Sequence, residues 1–283
     1  MSIKNLIDKN ELRIAMQLIK GANIPSPPQL LMDLKAELSL KTPNDKKILE
    51  WISEDIGLAS SIIKTVNSPL FGLDKEINSI EHAAKLLGLD KLKDFIIQPA
   101  YKLALNQTIK GFNHISGRSH TVGLISEIIA KEIETTDRGL FYLAGLFHDV
   151  GILVIAQKHP NAIEWYGSQE LHPITLTLYE KEKFQVTHAS IGVLLAKQWG
   201  LPNRVCNAIY LHHHFYATYR SEISLESVTI SAVLKLASYL DNKVKSNGNI
   251  YSVECNLMYQ NAIEELMFNE DNIEYIEKQI NAL

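Results

Sequence analysis

The run GLFYLAGLFHDVGILVIA, residues 139–156, constrains this chain more than any other stretch. Apart from His148 and Asp149 it is apolar or glycine, so folding must withdraw it from water. Its length approaches that of a short membrane span. An aspartate at the centre of a span costs ~3 kcal/mol, however, and the ends carry no anchoring residues. The expected form is therefore a long helix from Asp137, buried in the core of a folded domain. His148 and Asp149 must then find partners, because an unpaired ionisable group in an apolar core is strongly destabilising.

The rest of the chain predicts helix almost throughout, since apolar residues recur every three or four positions and alternation by two is scarce. Pro27 and Pro28 mark a helix entry. Thr42 is placed to cap the next helix with Pro43 at its first position, and Ile48, Leu49 and Ile52 form its inward stripe. Asp55 opens a further helix, NSPLFG breaks the pattern as a turn, and residues 79–105 resume it as two helices bent near Gly88 and Asp90. The polar stretch at residues 106–119 is the expected boundary, dividing a helical part over residues 1–112 from a second over 113–283. The latter ends in an acidic amphipathic helix from about residue 255, expected to pack back on its own domain.

Composition narrows the function classes. A chain of 283 residues with 46% hydrophobic and 21% charged residues fills one large or two moderate domains and leaves little room for extended disorder. The net charge of -4, a pI near 6.2 and the lack of a Lys/Arg run argue against direct nucleic-acid binding. Cys206 and Cys255 read as reduced thiols, and the amino terminus has no uninterrupted apolar leader. A cytoplasmic protein without membrane insertion is the expectation.

The ten histidines matter through their placement. His120 lies on an apolar face with Leu124 and Ile128, and His148 and Asp149 lie on the buried helix. His188 starts a helix just after Thr187, His212 shares a face with Val205 and Ala208, and His213 follows Ile209 by one turn. His82, His114, His159, His172 and His214 read as surface or loop residues. Imidazole and carboxylate suit iron, manganese, zinc or nickel, and two such ions would polarise a phosphate ester and supply hydroxide near neutral pH. The same side chains equally suit a buried hydrogen-bond network. Spacing leaves one ion, two ions or none open.

Longer motifs carry a resemblance. IPSPPQLL, ISEDIGLASSIIKTVNSPLFG and INSIEHAAKLLGLDKLKDF in the first half join SHTVGLIS, AGLFHDVGILVI, THASIGVLLAKQWGLP and AIYLHHHF in the second. Together they resemble the HDOD proteins, the output-domain branch of the HD metal-dependent phosphohydrolase superfamily, over roughly residues 20–215. The resemblance implies an all-α fold: an HD-domain-like multi-helical bundle with an additional amino-terminal helical subdomain, forming one module.

In active relatives an opening His, the His-Asp dyad and a later Asp hold the first metal, and further histidines hold a second. The resemblance assigns His120 as the opening ligand, His148 and Asp149 as the dyad, and His188, His212 and His213 as additional ligands. Three departures stand out. Ser238 occupies the closing Asp position, with Asp241 one turn further on. Ile152 stands where active phosphodiesterases carry Lys, and FYATYR replaces their Gly-Tyr-Pro motif. The resemblance therefore implies a bacterial signal-transduction module without turnover. It would act on signalling proteins in trans or bind a nucleotide-type ligand. A metal-dependent phosphohydrolase acting on nucleotides or cyclic dinucleotides is the second reading, and a structural scaffold the third.

Overall fold

A computed structural model describes residues 7–22, 29–38, 40, 42–54, 56–67, 77–88, 112–135, 138–168, 172–215 and 223–282. All regular structure among them is helical. In chain order the helices are α1 Lys9–Lys20, α2 Gln29–Leu38, α3 Asp45–Glu54, α4 Ile56–Val66, α5 Ile80–Leu87, α6 Phe112–Glu132, α7 Arg138–Phe147, α8 Val150–Lys158, α9 Ala162–Ser168, α10 Pro173–Phe184, α11 His188–Gln198, α12 Asn203–Leu211, α13 Leu225–Lys245, α14 Val253–Leu266 and α15 Glu270–Ile280. The chain forms two compact units, one of residues 1–24 with 109–280 and one of residues 25–108 with 281–283.

The smaller unit packs α2 on α3 and sets α4 and α5 against α3. Ile48 and Ile52 of α3 are fully buried, as their spacing predicts. The cap differs from the expected one. Asn44 accepts from the Lys47 amide at 3.1 Å, so α3 begins at Asp45 and Thr42 and Pro43 precede it. Asn67, the first residue of NSPLFG, exchanges two 2.7 Å hydrogen bonds with the backbone of Ile77 and thereby ties together the chain on either side of that motif. Gly88 ends α5 with φ +79°, a conformation that favours glycine. Helices begin at Gln29, just after Pro27 and Pro28, and at Ile56, just after Asp55, as expected; those three residues themselves, Asp90 and the helix expected beyond Gly88 lie outside the described residues.

The larger unit is built around α6, α7, α11, α12 and α13. The apolar run is wholly buried inside it. It is two helices rather than one, since α7 stops at Phe147 and α8 restarts at Val150. The interruption is the His148–Asp149 pair, with Asp149 at φ -100°, ψ 6°. Close backbone packing locks these helices to their neighbours. A Cβ on Gly145 would come within 2.5 Å of the Gly123 Cα, and one on Gly151 within 2.0 Å of the His188 carbonyl oxygen. The second approach sets the start of α8 directly on the start of α11.

The amino terminus departs from the expected division after residue 112. Residues 1–24 belong to the larger unit, where α1 packs on α11 and α8. The reason is polar as well as apolar. Glu11 is buried and accepts from the Thr187 amide (3.1 Å), the Thr187 hydroxyl (3.1 Å) and the Ser190 hydroxyl (2.6 Å), closing the start of α11. The acidic carboxyl-terminal segment does pack back on its own unit, but as two helices broken at Met267 (φ 55°). Of these, α14 lies on α13, and α15 lies on α6 with Asn272 donating to Glu132 at 2.9 Å.

Candidate metal centre

Local breaks in the helices aim the site residues. Because α7 ends at Phe147, the His148 Nδ1–H donates to the Gly145 carbonyl at 2.6 Å and its Nε2 turns toward Asp149. Thr187 caps α11 through the Ser190 amide and places His188 in the first turn. His212 ends α12, where its Nδ1–H donates to the Ile209 carbonyl at 2.6 Å. These backbone bonds aim the Nε2 atoms of both rings into the site and leave that of His212 as a lone-pair donor.

Four of the expected ligands converge. One donor atom each from Asp149, His188, His212 and His213 lies within 4.8 Å of all the others. His188 Nε2 is 3.3 Å from His212 Nε2 and 3.1 Å from His213 Nε2. Asp149 Oδ1 is 3.6 Å from His188 Nε2 and 3.9 Å from His212 Nε2. A tetrahedral ion with ligand bonds of ~2.1 Å has ligand-to-ligand edges of ~3.4 Å, so these separations frame such an ion. Facing imidazole lone pairs at this distance repel one another unless a cation or a proton lies between them. The donor set thus fits the group that the motifs implied.

His188 is oriented by a residue the sequence did not single out. Glu180 of α10 is fully buried and accepts from His188 Nδ1 at 2.8 Å and from the His188 amide at 3.1 Å. Tyr166 donates to the same carboxylate at 2.5 Å. A carboxylate behind a ligating histidine fixes its tautomer and raises its basicity. The signal was present, since Leu176 and Glu180 are one helical turn apart and are the buried pair of α10.

Electrostatics sets the charge state of each member of the cluster. Burial by itself disfavours the Asp149 carboxylate, but His148 and Arg118 more than offset it and hold the group well below the usual carboxylate range. Burial and the neighbouring imidazoles push His212 and His213 well below the ordinary histidine value, so both are neutral near pH 7. Burial also opposes charge on His188, but Glu180 prevails and raises it.

His120 does not join the four. Its Nδ1 lies 3.0 Å from the Tyr142 hydroxyl, with the rings edge to face. Arg118, two positions earlier on α6, enters the site instead. Its Nη1 donates to Asp149 Oδ2 at 2.5 Å and lies 3.2 Å from His148 Nε2, and its Nε is 3.6 Å from Asp241 Oδ2. Asp241 is buried, pairs with Lys245 at 2.9 Å, and stays outside the cluster of four. Ser238 and Ile152 line a cavity beside the cluster, with Lys235 and Tyr239 on its walls. Of the histidines expected at the surface, His82, His159 and His172 are exposed. His214 is half-buried and stacks on Tyr210, and burial lowers its pKa to about 4. The His114 side chain lies outside the described residues.

Comparison with known proteins adds a frame. The family model of the HDOD domain matches residues 24–215. An uncharacterized protein of Treponema pallidum is 28% identical over 199 residues, 68% of this chain, and the chain spans 38% of that protein's length. The crystal structure of an HDOD domain protein of Geobacter sulfurreducens superposes with a TM-score of 0.67 at 22% identity, covering 97% of this chain and 94% of that one. A candidate phosphohydrolase of Shewanella amazonensis gives the same score at 20% identity, covering 94% and 98%.

Proposed function

The chain belongs to the HDOD family, and we propose that it is a signal-transduction module that binds a divalent metal at Asp149, His188, His212 and His213 without hydrolysing phosphoesters. The observation that carries this reading is the convergence of those four donors within 4.8 Å, backed by Glu180. Iron, manganese, zinc and nickel all suit such a set. When bound, the ion would supply Lewis acidity to an anionic ligand in the adjoining cavity.

The chain's own residues define what the cavity accepts. Lys235 contributes an amine donor, half protonated near pH 7, that donates to the His214 carbonyl and to Asn261 Oδ1. Ile152 and Leu176 supply apolar wall. A small anion with an apolar portion, of which a nucleotide is one example, matches that lining. Ile152 brings no positive charge to a developing phosphate transition state, and Ser238 adds no carboxylate ligand, which favours binding over turnover. Signalling proteins acting in trans would read the bound state.

The test is direct. Protein purified without a His-tag or chelator is expected to carry metal by elemental analysis and to leave a panel of nucleotides and cyclic dinucleotides intact. Absence of metal after reconstitution would sink the reading. Turnover abolished by Asp149→Ala would establish the second reading, a metal-dependent phosphohydrolase, which the retained donors and the open cavity favour.

A further inference from the structure

We infer that the Arg118 guanidinium stands in for a second metal ion and makes the centre mononuclear. This inference rests on the metal reading above. The Asp149 carboxylate has two faces. Its Oδ1 looks toward His188 and His212, and its Oδ2 looks the other way, 2.9 Å from His148 Nε2. A carboxylate with one oxygen turned to each of two donor groups has the disposition of a bridging ligand between paired ions. On the Oδ2 side lie His148 Nε2, its ring oriented by the bond from Nδ1 to Gly145, and Asp241 beyond it.

Arg118 occupies that side. Its Nη1 contacts both Asp149 Oδ2 (2.5 Å) and His148 Nε2 (3.2 Å), which also touch each other at 2.9 Å, and its Nε faces Asp241 Oδ2 at 3.6 Å. The side chain is 11% exposed, so it is seated in the site rather than resting on its rim. A guanidinium remains charged at every accessible pH. It neutralises Asp149 and Asp241 as a cation would, yet it has no coordination position to offer water or a phosphate oxygen. Its charge also repels any divalent ion approaching the same donors. Charges of alternating sign then run from Asp149 through Arg118 and Asp241 to Lys245. The site keeps the capacity to hold one ion and a ligand, and lacks the paired ions of a two-metal hydrolysis.

Metal stoichiometry tests this. Tag-free protein is incubated with excess Mn²⁺ or Zn²⁺, desalted, and counted for metal per chain. The wild type and Arg118→Lys, which keeps the charge, are expected to hold one ion. Arg118→His, which exchanges the charge for a neutral donor, is expected to hold two. Arg118→Gln, uncharged and similar in reach, is read in the same way should the histidine variant not fold. Two ions in the wild type, or one ion in a folded Arg118→His, would overturn the inference and leave the metal reading intact. No ion in the wild type would defeat the metal reading. The variants still decide the role of Arg118 in that case, because an ion gained on its removal supports it and none overturns it.

Discussion

Among individual side chains, Glu180 shapes the centre without being part of the cluster. Its carboxylate holds His188 through Nδ1, so Glu180→Gln should lower metal affinity ~10–100-fold. Competition with a chromophoric chelator measures this, and an unchanged affinity would reduce Glu180 to a packing role. Lys235 offers a second handle. Burial lowers its pKa from 10.5 to about 7, against an opposing pull from Glu265. Between those two values the unfolded chain holds a proton that the folded chain has lost, so this group makes stability rise with pH across the window. Below about pH 7 its full cost of up to ~5 kcal/mol is present. Lys235→Met should flatten that slope, as read from urea denaturation at several pH values from neutral to alkaline. The inward-facing histidines and the dyad were legible from residue type and register, and their assignment as ligands came from the motif resemblance. Arg118 and Glu180 were not singled out, because a charged residue near an apolar helix face reads by default as solvated.

Helix ends decide where the clustered side chains point. Glu11 of α1 serves three donors at the start of α11, and Glu11→Ala would leave the Thr187 amide without its acceptor, while the Thr187 and Ser190 hydroxyls keep only each other. A loss of ~1–3 kcal/mol in chemical denaturation is expected. Gly151 does the same work through the backbone. A Cβ there would sit 2.0 Å from the His188 carbonyl oxygen, so Gly151→Ala must push α8 away from α11 and draw Asp149 from His188. That overpacking should cost ~1–3 kcal/mol and also lower metal occupancy in the surviving folded protein. The existence of these helices was plain from periodicity, and their interruptions were not. The apolar pattern runs through His148 and Asp149, and the flanking Gly145 and Gly151 lie inside helices rather than at the break; around Met267 no glycine or proline signals a stop. At both places tertiary packing overrides local propensity.

For the whole chain, an ion held only by the folded state couples function to stability. At a free metal concentration ~1000 times the dissociation constant the gain is ~4 kcal/mol. Chelation should therefore lower the Tm, and added metal should restore it. Glu180 raises the His188 pKa above its usual value, so binding near neutral pH should release protons, with a heat that varies with the ionisation enthalpy of the buffer. A Tm indifferent to chelator would count against a resident ion.

Periodicity and residue type alone were enough to establish an all-helical chain, a buried apolar run carrying an ionisable pair, and a set of histidines facing inward. Helical angle follows from sequence spacing, since Arg118 and His120 differ by ~200° around α6 and cannot face one site together. Which of them does was decided only by the tertiary structure. Nearly every position of α6 from Ser119 to Ala130 is buried or half-buried, so burial marks no single inward face. The packing of α6 against α7 and α13 turned Arg118 toward Asp149 and His120 toward Tyr142. Convergence of donors from distant helices is a property of crossing geometry, which no local pattern encodes.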